Sequence, residues 1–237
     1  MKTLGLLGGM SWTSTISYYR RLNQLVAERL GGLHSARVLL YSVDFHEVEQ
    51  LQHAGRWDEA GALLADAARC LEAGGAEAIV LCTNTMHKVA GPIAAAVEMP
   101  LLHIADPTGE AIKAAGCRRV GLLGTRFTME QPFYRQRLAE RFGLEVLVPG
   151  EVDREMVHRV IFEELCAERI EPGSRRAYQR VIADLAEQGA EAVILGCTEI
   201  ALLIGEDDVA LSVFDTTELH VRAAVDFALG KHESPQT

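Results

Sequence analysis

A short segment occurs twice in this chain, and the repeat restricts the folds open to it. Gly75-Ala-Glu-Ala-Ile-Val-Leu81 returns as Gly189-Ala-Glu-Ala-Val-Ile-Leu195. Ahead of each copy, Thr3-Leu-Gly-Leu-Leu-Gly-Gly9 is matched by Arg119-Val-Gly-Leu-Leu-Gly-Thr125. Each copy is a short apolar run with β-branched residues, bounded by glycine, and such runs read as buried strands of a parallel sheet. Two copies of one supersecondary pattern mean two similar halves.

Between the repeats, strand and helix signals alternate. In the first half strands are expected at 3–7, 37–43, 76–81 and 100–104, with helices from Ser11 or Thr13 to about residue 30, over 57–73, over 89–97 and after Asp106-Pro107. In the second half strands are expected at 119–125, 145–148, 189–195 and 213–216, with helices over 154–166, 174–188 and 218–229. This rhythm predicts an α/β protein with right-handed crossovers. The fold class expected is two similar doubly wound parallel-sheet domains, a first of residues 1–104 plus 212–237 and a second of residues 105–211. Clefts between domains are favoured ligand sites, so the active site is expected there.

Composition removes several function classes. The formal charge is −10 and no basic run exists, which argues against a nucleic-acid partner. No apolar stretch approaches the roughly 18 residues of a membrane span. The five cysteines, at 70, 82, 117, 166 and 197, form no C-x-x-C pair and no metal spacing. Together with an N-terminus unlike a signal peptide, they point to reduced thiols in the cytoplasm and to no metal. Gly5-x-x-Gly-Gly9 is neither a dinucleotide fingerprint nor a P-loop. Only four lysines occur, and Lys88 alone lies near a motif, which leaves little room for a pyridoxal phosphate Schiff base.

Ligands of open parallel sheets sit beyond the carboxyl ends of strands. There the second copy presents Gly196-Cys-Thr-Glu199 and the first Cys82-Thr-Asn-Thr-Met-His87. The ungapped alignment places Thr83, not Cys82, opposite Cys197. A one-residue slip would reverse every side chain of the strand, so Cys82 is expected to face the core.

Gly5-Leu-Leu-Gly-Gly-Met10, Thr83-Asn-Thr-Met-His87 and Gly196-Cys-Thr-Glu199 resemble three signature segments of the aspartate/glutamate/hydantoin racemase superfamily. The resemblance runs essentially the whole length and is nearest to the bacterial L-aspartate/glutamate-specific or broad-spectrum amino-acid racemases. It implies a cofactor-independent isomerase with two domains related by pseudo-twofold symmetry, an amino acid as small-molecule substrate, no cofactor, and a homodimer. It also implies catalytic roles for Cys197 and for the position of Thr83, where most members carry a second cysteine. The arginine that binds a substrate carboxylate in aspartate-specific members falls on Val48, and a family lysine falls on Cys166, with Gln52 and Arg126 as candidate substitutes. Relatives that keep only the second-half cysteine decarboxylate substituted malonates, so the alternatives are such a decarboxylase or a non-catalytic amino-acid-binding protein.

Racemisation needs an acid and a base on opposite faces of Cα, each with a pKa near working pH. Cys197 is expected before a helix N-terminus, where the dipole lowers a thiol pKa. Met10, Gln52, Asn84, Thr85, Thr125, Thr128 and Thr198 are the substrate-binding candidates. The threonine hydroxyls among them could hold the substrate carboxylate and the developing charge. His87 is either a relay to Thr83 or a structural histidine. Glu199 either orients the Cys197 loop or caps the helix after it.

Overall fold

The computed structural model describes residues 1–230. The last seven positions of the expected first domain, 231–237, lie outside the described residues. The chain divides into two compact units, Met1–His103 with the chain from His220 on, and Ile104–Leu219.

The first unit runs β1 (Leu4–Gly8), α1 (Trp12–Leu30), β2 (Val38–Ser42), α2 (Phe45–His53), α3 (Trp57–Ala73), β3 (Ala78–Leu81), a 3-10 turn (Thr85–Val89), α4 (Ala90–Ala95) and β4 (Leu101–Leu102). Its four strands are all parallel, in the order β2-β1-β3-β4. The second unit runs α5 (Ala105–Ala114), β5 (Arg119–Gly124), α6 (Arg126–Glu130), α7 (Pro132–Phe142), β6 (Glu145–Leu147), α8 (Glu151–Glu163), a 3-10 turn (Leu165–Ala167), α9 (Pro172–Glu187), β7 (Ala192–Gly196), 3-10 turns at Ile200–Leu202 and Glu206–Asp208, and β8 (Ser212–Asp215). Its order, β6-β5-β7-β8, repeats the first and is again all parallel. The final helix, α10 (Thr216–Leu229), starts in the second unit and ends in the first.

The central strands β1, β3 and β7 are buried along their whole length and β5 from Val120 on, since helices cover both faces, which explains their apolar sequence. One face of the first sheet packs Leu4, Leu6, Ala78 and Val80 on Tyr18 and Leu22 of α1 and on Val221 and Val225 of α10. The other packs Leu7, Ile79 and Leu81 on Leu64, Ala68 and Leu71 of α3.

The repeated Gly-Ala-Glu-Ala segment does the same work twice. Gly75 and Gly189 take φ of +92° and +95°, the left-handed region that ends a helix at glycine. The glutamates then tie the strand starts together. Glu77 accepts the Thr3 N–H at 2.6 Å, and Glu191 accepts the Arg118 and Arg119 N–H groups at 2.5 and 3.0 Å. These two backbone donors hold the exposed Glu191 carboxyl below the usual range.

The unit boundaries differ from those expected, and three helices go beyond the expectation. The second crossing lies at Leu219/His220 and not at 212, because β8 pairs with β7 and so carries residues 212–219 into the second unit. The first falls after His103, one residue early. Helices α2, α6 and α7 carry no expectation from the sequence. Their starts are cap-driven: Asp44 accepts the His46 N–H, Thr125 the Thr128 N–H, and Pro132 opens α7.

At Gly9, φ is +94°, its N–H donates to Thr15 Oγ1 at 2.9 Å, and a Cβ would run into the Val43 backbone. Strain and clash act together, so Gly9→Ala is expected to cost roughly 3 kcal/mol of unfolding free energy. A lowered urea midpoint with unchanged slope is the check.

Candidate active site

In a sheet of this order the chain reverses its winding between the first and third strands, and ligands bind beyond the carboxyl ends there. Each unit has one such point. In the first unit it is formed by Gly9 to Ser11 after β1 and by Thr83 to His87 after β3. In the second it is formed by Thr125 to Thr128 after β5 and by Cys197 to Glu199 after β7.

The strand ladders fix the equivalence of the two ends. Leu7 pairs with Leu81, and Leu123 with Leu195. Cys82 therefore takes the place of Gly196, and Thr83 the place of Cys197. Glycine is needed at the former position in the second unit, where a Cβ on Gly196 would lie 2.9 Å from the Leu123 carbonyl oxygen. Cys82 packs beside Leu4, Leu6 and Tyr18 with no exposure, whereas Thr83 and Cys197 each keep 8%. Burial pushes the Cys82 thiol far up, and its Sγ donates to the Val80 carbonyl at 3.5 Å. Of the three, Cys82 is the one that cannot meet a ligand.

Side-chain hydrogen bonds hold the first-unit end. Ser11 caps α1 by accepting the Ser14 N–H at 3.3 Å. The ring of His87 lies 2.7 Å from the Thr83 carbonyl oxygen through Nδ1. A carbonyl only accepts, so Nδ1 carries the proton in that contact. Behind His87 stand His103 and His220, with ring centroids at 4.5 and 5.9 Å. His220 is itself fixed, with Nε2 2.7 Å from the Leu102 carbonyl and Nδ1 2.9 Å from the Tyr18 hydroxyl. The carbonyl takes the Nε2 proton, so Tyr18 donates to Nδ1. Gln52 reaches the same turn, donating Nε2–H to Met86 Sδ at 2.9 Å, and Met10, Val48 and Met86 share one apolar cluster. Asn84 and Thr85 are buried in that turn.

In the second unit, Thr125 is taken up as the cap of α6, and its hydroxyl lies 3.2 Å from that of Thr128. A Cβ on Gly196 would lie 3.5 Å from Thr128 Cγ2, which places Thr128 against the start of the Cys197 segment. Cys197 Sγ donates to Glu199 Oε2 at 3.0 Å. The other carboxylate oxygen, Oε1, accepts from Cys166 Sγ at 3.8 Å. Thr198 is buried between Cys197 and Glu199. Arg126 does not reach this group by any hydrogen bond or ion pair described. It is half exposed and pairs with Glu155 at 3.7 Å.

Two expectations about the thiol are corrected. The element after Cys197 is a 3-10 turn, Ile200–Leu202, too short to supply an appreciable dipole. The Cys197 thiol is pushed up and not down, first by burial and then by the negative charge of Glu199 and by Cys166. Burial and Glu199 likewise push Cys166 up. The Glu199 side chain makes no cap hydrogen bond to the turn after it, and its carboxylate accepts from two thiols.

Sequence reasoning missed Cys166 as a member of this group, reading it only as a lost cation. It also missed Tyr178, a buried phenol that donates to the Val157 carbonyl at 2.9 Å and lies within electrostatic reach of both thiols. Neither position carries a local motif. Cys166 arrives from the 3-10 turn after α8 and Tyr178 from α9, both well before residue 197 in the chain.

Among the described residues, no group of three or more His, Cys, Asp or Glu is placed to hold a metal ion. No described helix is long and apolar enough to cross a membrane.

A family model for Asp/Glu/hydantoin racemases matches residues 7–224. The crystal structure of a candidate Asp/Glu racemase from Yersinia pestis is 59% identical, with a TM-score of 0.91, over 97% of this chain and 100% of that one. An aspartate racemase homologue from Pyrococcus horikoshii is 36% identical, with a TM-score of 0.85, over 97% of this chain and 100% of that one. A broad specificity amino-acid racemase from Bacillus subtilis is 24% identical over 94% of this chain and 96% of its own length. A glutamate racemase from Pseudomonas aeruginosa is 31% identical, but over only 52% of this chain and 46% of its own length.

Proposed function

The chain belongs to the Asp/Glu/hydantoin racemase family, and on that premise we propose that it is a cofactor-independent amino-acid racemase, of aspartate/glutamate or broad-spectrum type. Cys197 carries the Cα proton on one face and Thr83 on the other. The observation that carries the reading is the ladder-matched pair itself: one thiol and one hydroxyl at equivalent strand ends, the thiol already donating to a carboxylate.

The raised Cys197 pKa is the obstacle, and Glu199 lowers it only by taking the proton without adding a second charge, a transfer that stays uphill because a carboxylic acid is the stronger acid. Ionising Cys197 into solvent would leave two anions side by side in a buried place, each disfavouring the other. Proton transfer within the pair avoids this. The S–H bond breaks, an O–H bond forms on Glu199 Oε2, and the pair keeps a single negative charge throughout. The thiolate then takes the Cα proton, and the electron pair left behind spreads into the substrate carboxylate. Hydroxyls of Thr85, Thr125, Thr128 and Thr198, with nearby backbone N–H groups, are the donors assigned to that developing charge.

On the other face a threonine hydroxyl is a weak acid and a weaker base. It delivers a proton drawn from solvent, directly or relayed through His87, whose Nδ1–H donates to the Thr83 carbonyl. The proton resting on Glu199 returns to solvent as the Thr83 side draws one. Thr83→Cys restores a titratable group there and is expected to raise Cα exchange, by up to about tenfold. Thr83→Val is expected to lower it by at least about tenfold. Exchange rates read by proton NMR in deuterated water decide both.

Enantiomers have equal free energy in water, so kcat/KM must be equal in the two directions, whatever the asymmetry of the two carriers. A panel of L-amino acids in deuterated water, followed by chiral separation, tests the reading. Deuterium at Cα together with D-product supports it. Carbon dioxide from a substituted malonate, with no exchange into any amino acid, would replace it with a decarboxylase.

A further inference from the structure

The two thiols on one carboxylate carry an inference beyond the pair that does the chemistry. Glu199 accepts from Cys197 through Oε2 and from Cys166 through Oε1, at 3.0 and 3.8 Å. We propose that Cys166 is a positioning residue, its S–H holding Glu199 Oε1 so that Oε2 stays on the Cys197 thiol and receives its proton. This rests on the racemase reading for its role in turnover, but the positioning itself is measurable without substrate.

Three features support it. Cys166 sits in the 3-10 turn Leu165–Ala167, immediately after α8, so the helix end and not a mobile loop sets its direction. Burial and the Glu199 charge both favour its protonated form, which is the form that donates. Third, a neutral donor at this place leaves the charge on Glu199 intact. A cation there would neutralise the carboxylate and make it a poorer acceptor for the Cys197 proton. The thiol thus orients the base without weakening it.

If Cys166 acts through Glu199, its loss must look like a partial loss of Glu199 and must vanish when Glu199 is already gone. The experiment compares wild type, Cys166→Ala, Cys166→Ser, Glu199→Gln and the Cys166→Ala/Glu199→Gln double variant. Two quantities are read: kcat for Cα exchange, and the pH dependence of Cys197 alkylation by iodoacetamide, resolved by peptide mass spectrometry. Cys166→Ala is expected to lower kcat about tenfold with KM little changed. It should also move the Cys197 alkylation inflection down by about one pH unit, since the released carboxylate no longer lies against the thiol. Glu199→Gln shifts the inflection the same way. Cys166→Ser, which keeps an O–H donor, is expected to recover most of both. In the Glu199→Gln background the further change Cys166→Ala should do almost nothing.

A Cys166→Ala loss that multiplies with that of Glu199→Gln, or a Cys197 inflection that stays in place when Cys166 is replaced, overturns the proposal. Wild-type protein that exchanges no amino acid would sink the racemase reading alone. The alkylation series would still decide whether Cys166 positions Glu199.

Discussion

Cys197→Ser loses about a thousandfold or more of Cα exchange, while Cys82→Ala stays within about threefold of wild type, because only the first removes a proton carrier. The serine hydroxyl is a far weaker acid than a thiol, so transfer to Glu199 no longer supplies a usable base. The control separates register from proximity. Cys82 precedes Thr83 in the chain, but it points into the core beside Leu4 and Tyr18, and its thiol donates to the Val80 carbonyl. Replacing it costs some stability through lost packing and leaves the site chemistry alone. If Cys82→Ala abolished exchange in folded protein, the ladder-based equivalence of Thr83 and Cys197 would not describe the working site.

Glu199→Gln is expected to lower exchange at neutral pH about a hundredfold and to change the shape of the pH profile. In the wild type the thiol proton has an internal acceptor, so the rate near neutrality depends little on pH. In the variant the thiol must ionise into solvent, and the rate climbs with pH toward the Cys197 pKa. The sign follows from the causes of the shift. Burial raises that pKa and Glu199 adds to it, so removing the carboxylate's charge lowers the pKa without returning it to the ordinary thiol value. The variant therefore recovers part of its lost rate in alkaline solution. A flat profile at a hundredth of the wild-type rate would mean that Glu199 only holds the loop. Glu199→Asp, a shorter carboxylate, should fall between the two.

Much of this was legible in the sequence, and the reasons differ by element. The repeat around Gly75 and Gly189 encodes both sheets, because a glycine at positive φ, a strand-tying glutamate and an apolar strand must occur in that order. The pairing of Thr83 with Cys197 follows from the same repeat, since register cannot slip without turning a strand inside out.

What was not legible depends on contacts between distant segments. Nothing near residue 197 says that Cys166 reaches Glu199, because the approach is set by where α8 stops. Nothing near His87 says that His103 and His220 stand behind it, because they come from β4's end and from α10. The polarity of the Cys197 shift was misjudged because the sequence after it, Thr198-Glu-Ile-Ala-Leu-Leu203, reads as helix-forming while only a single 3-10 turn forms. The unit that takes residues 212–219 was not legible, since only the pairing of β8 with β7 assigns that strand.

The central claim is that two carriers serve the two faces of Cα, Cys197 on one and Thr83 on the other, and early-time isotope content tests it most directly. Protiated L-amino acid, aspartate first, is turned over in deuterated water and stopped long before equilibrium. Each enantiomer is then isolated and its Cα isotope read by mass spectrometry. Two carriers predict that the D-enantiomer bears deuterium while unreacted L-enantiomer keeps protium, with the converse from the D side. D-product that keeps the original protium would mean that one group serves both faces, and would contradict the account.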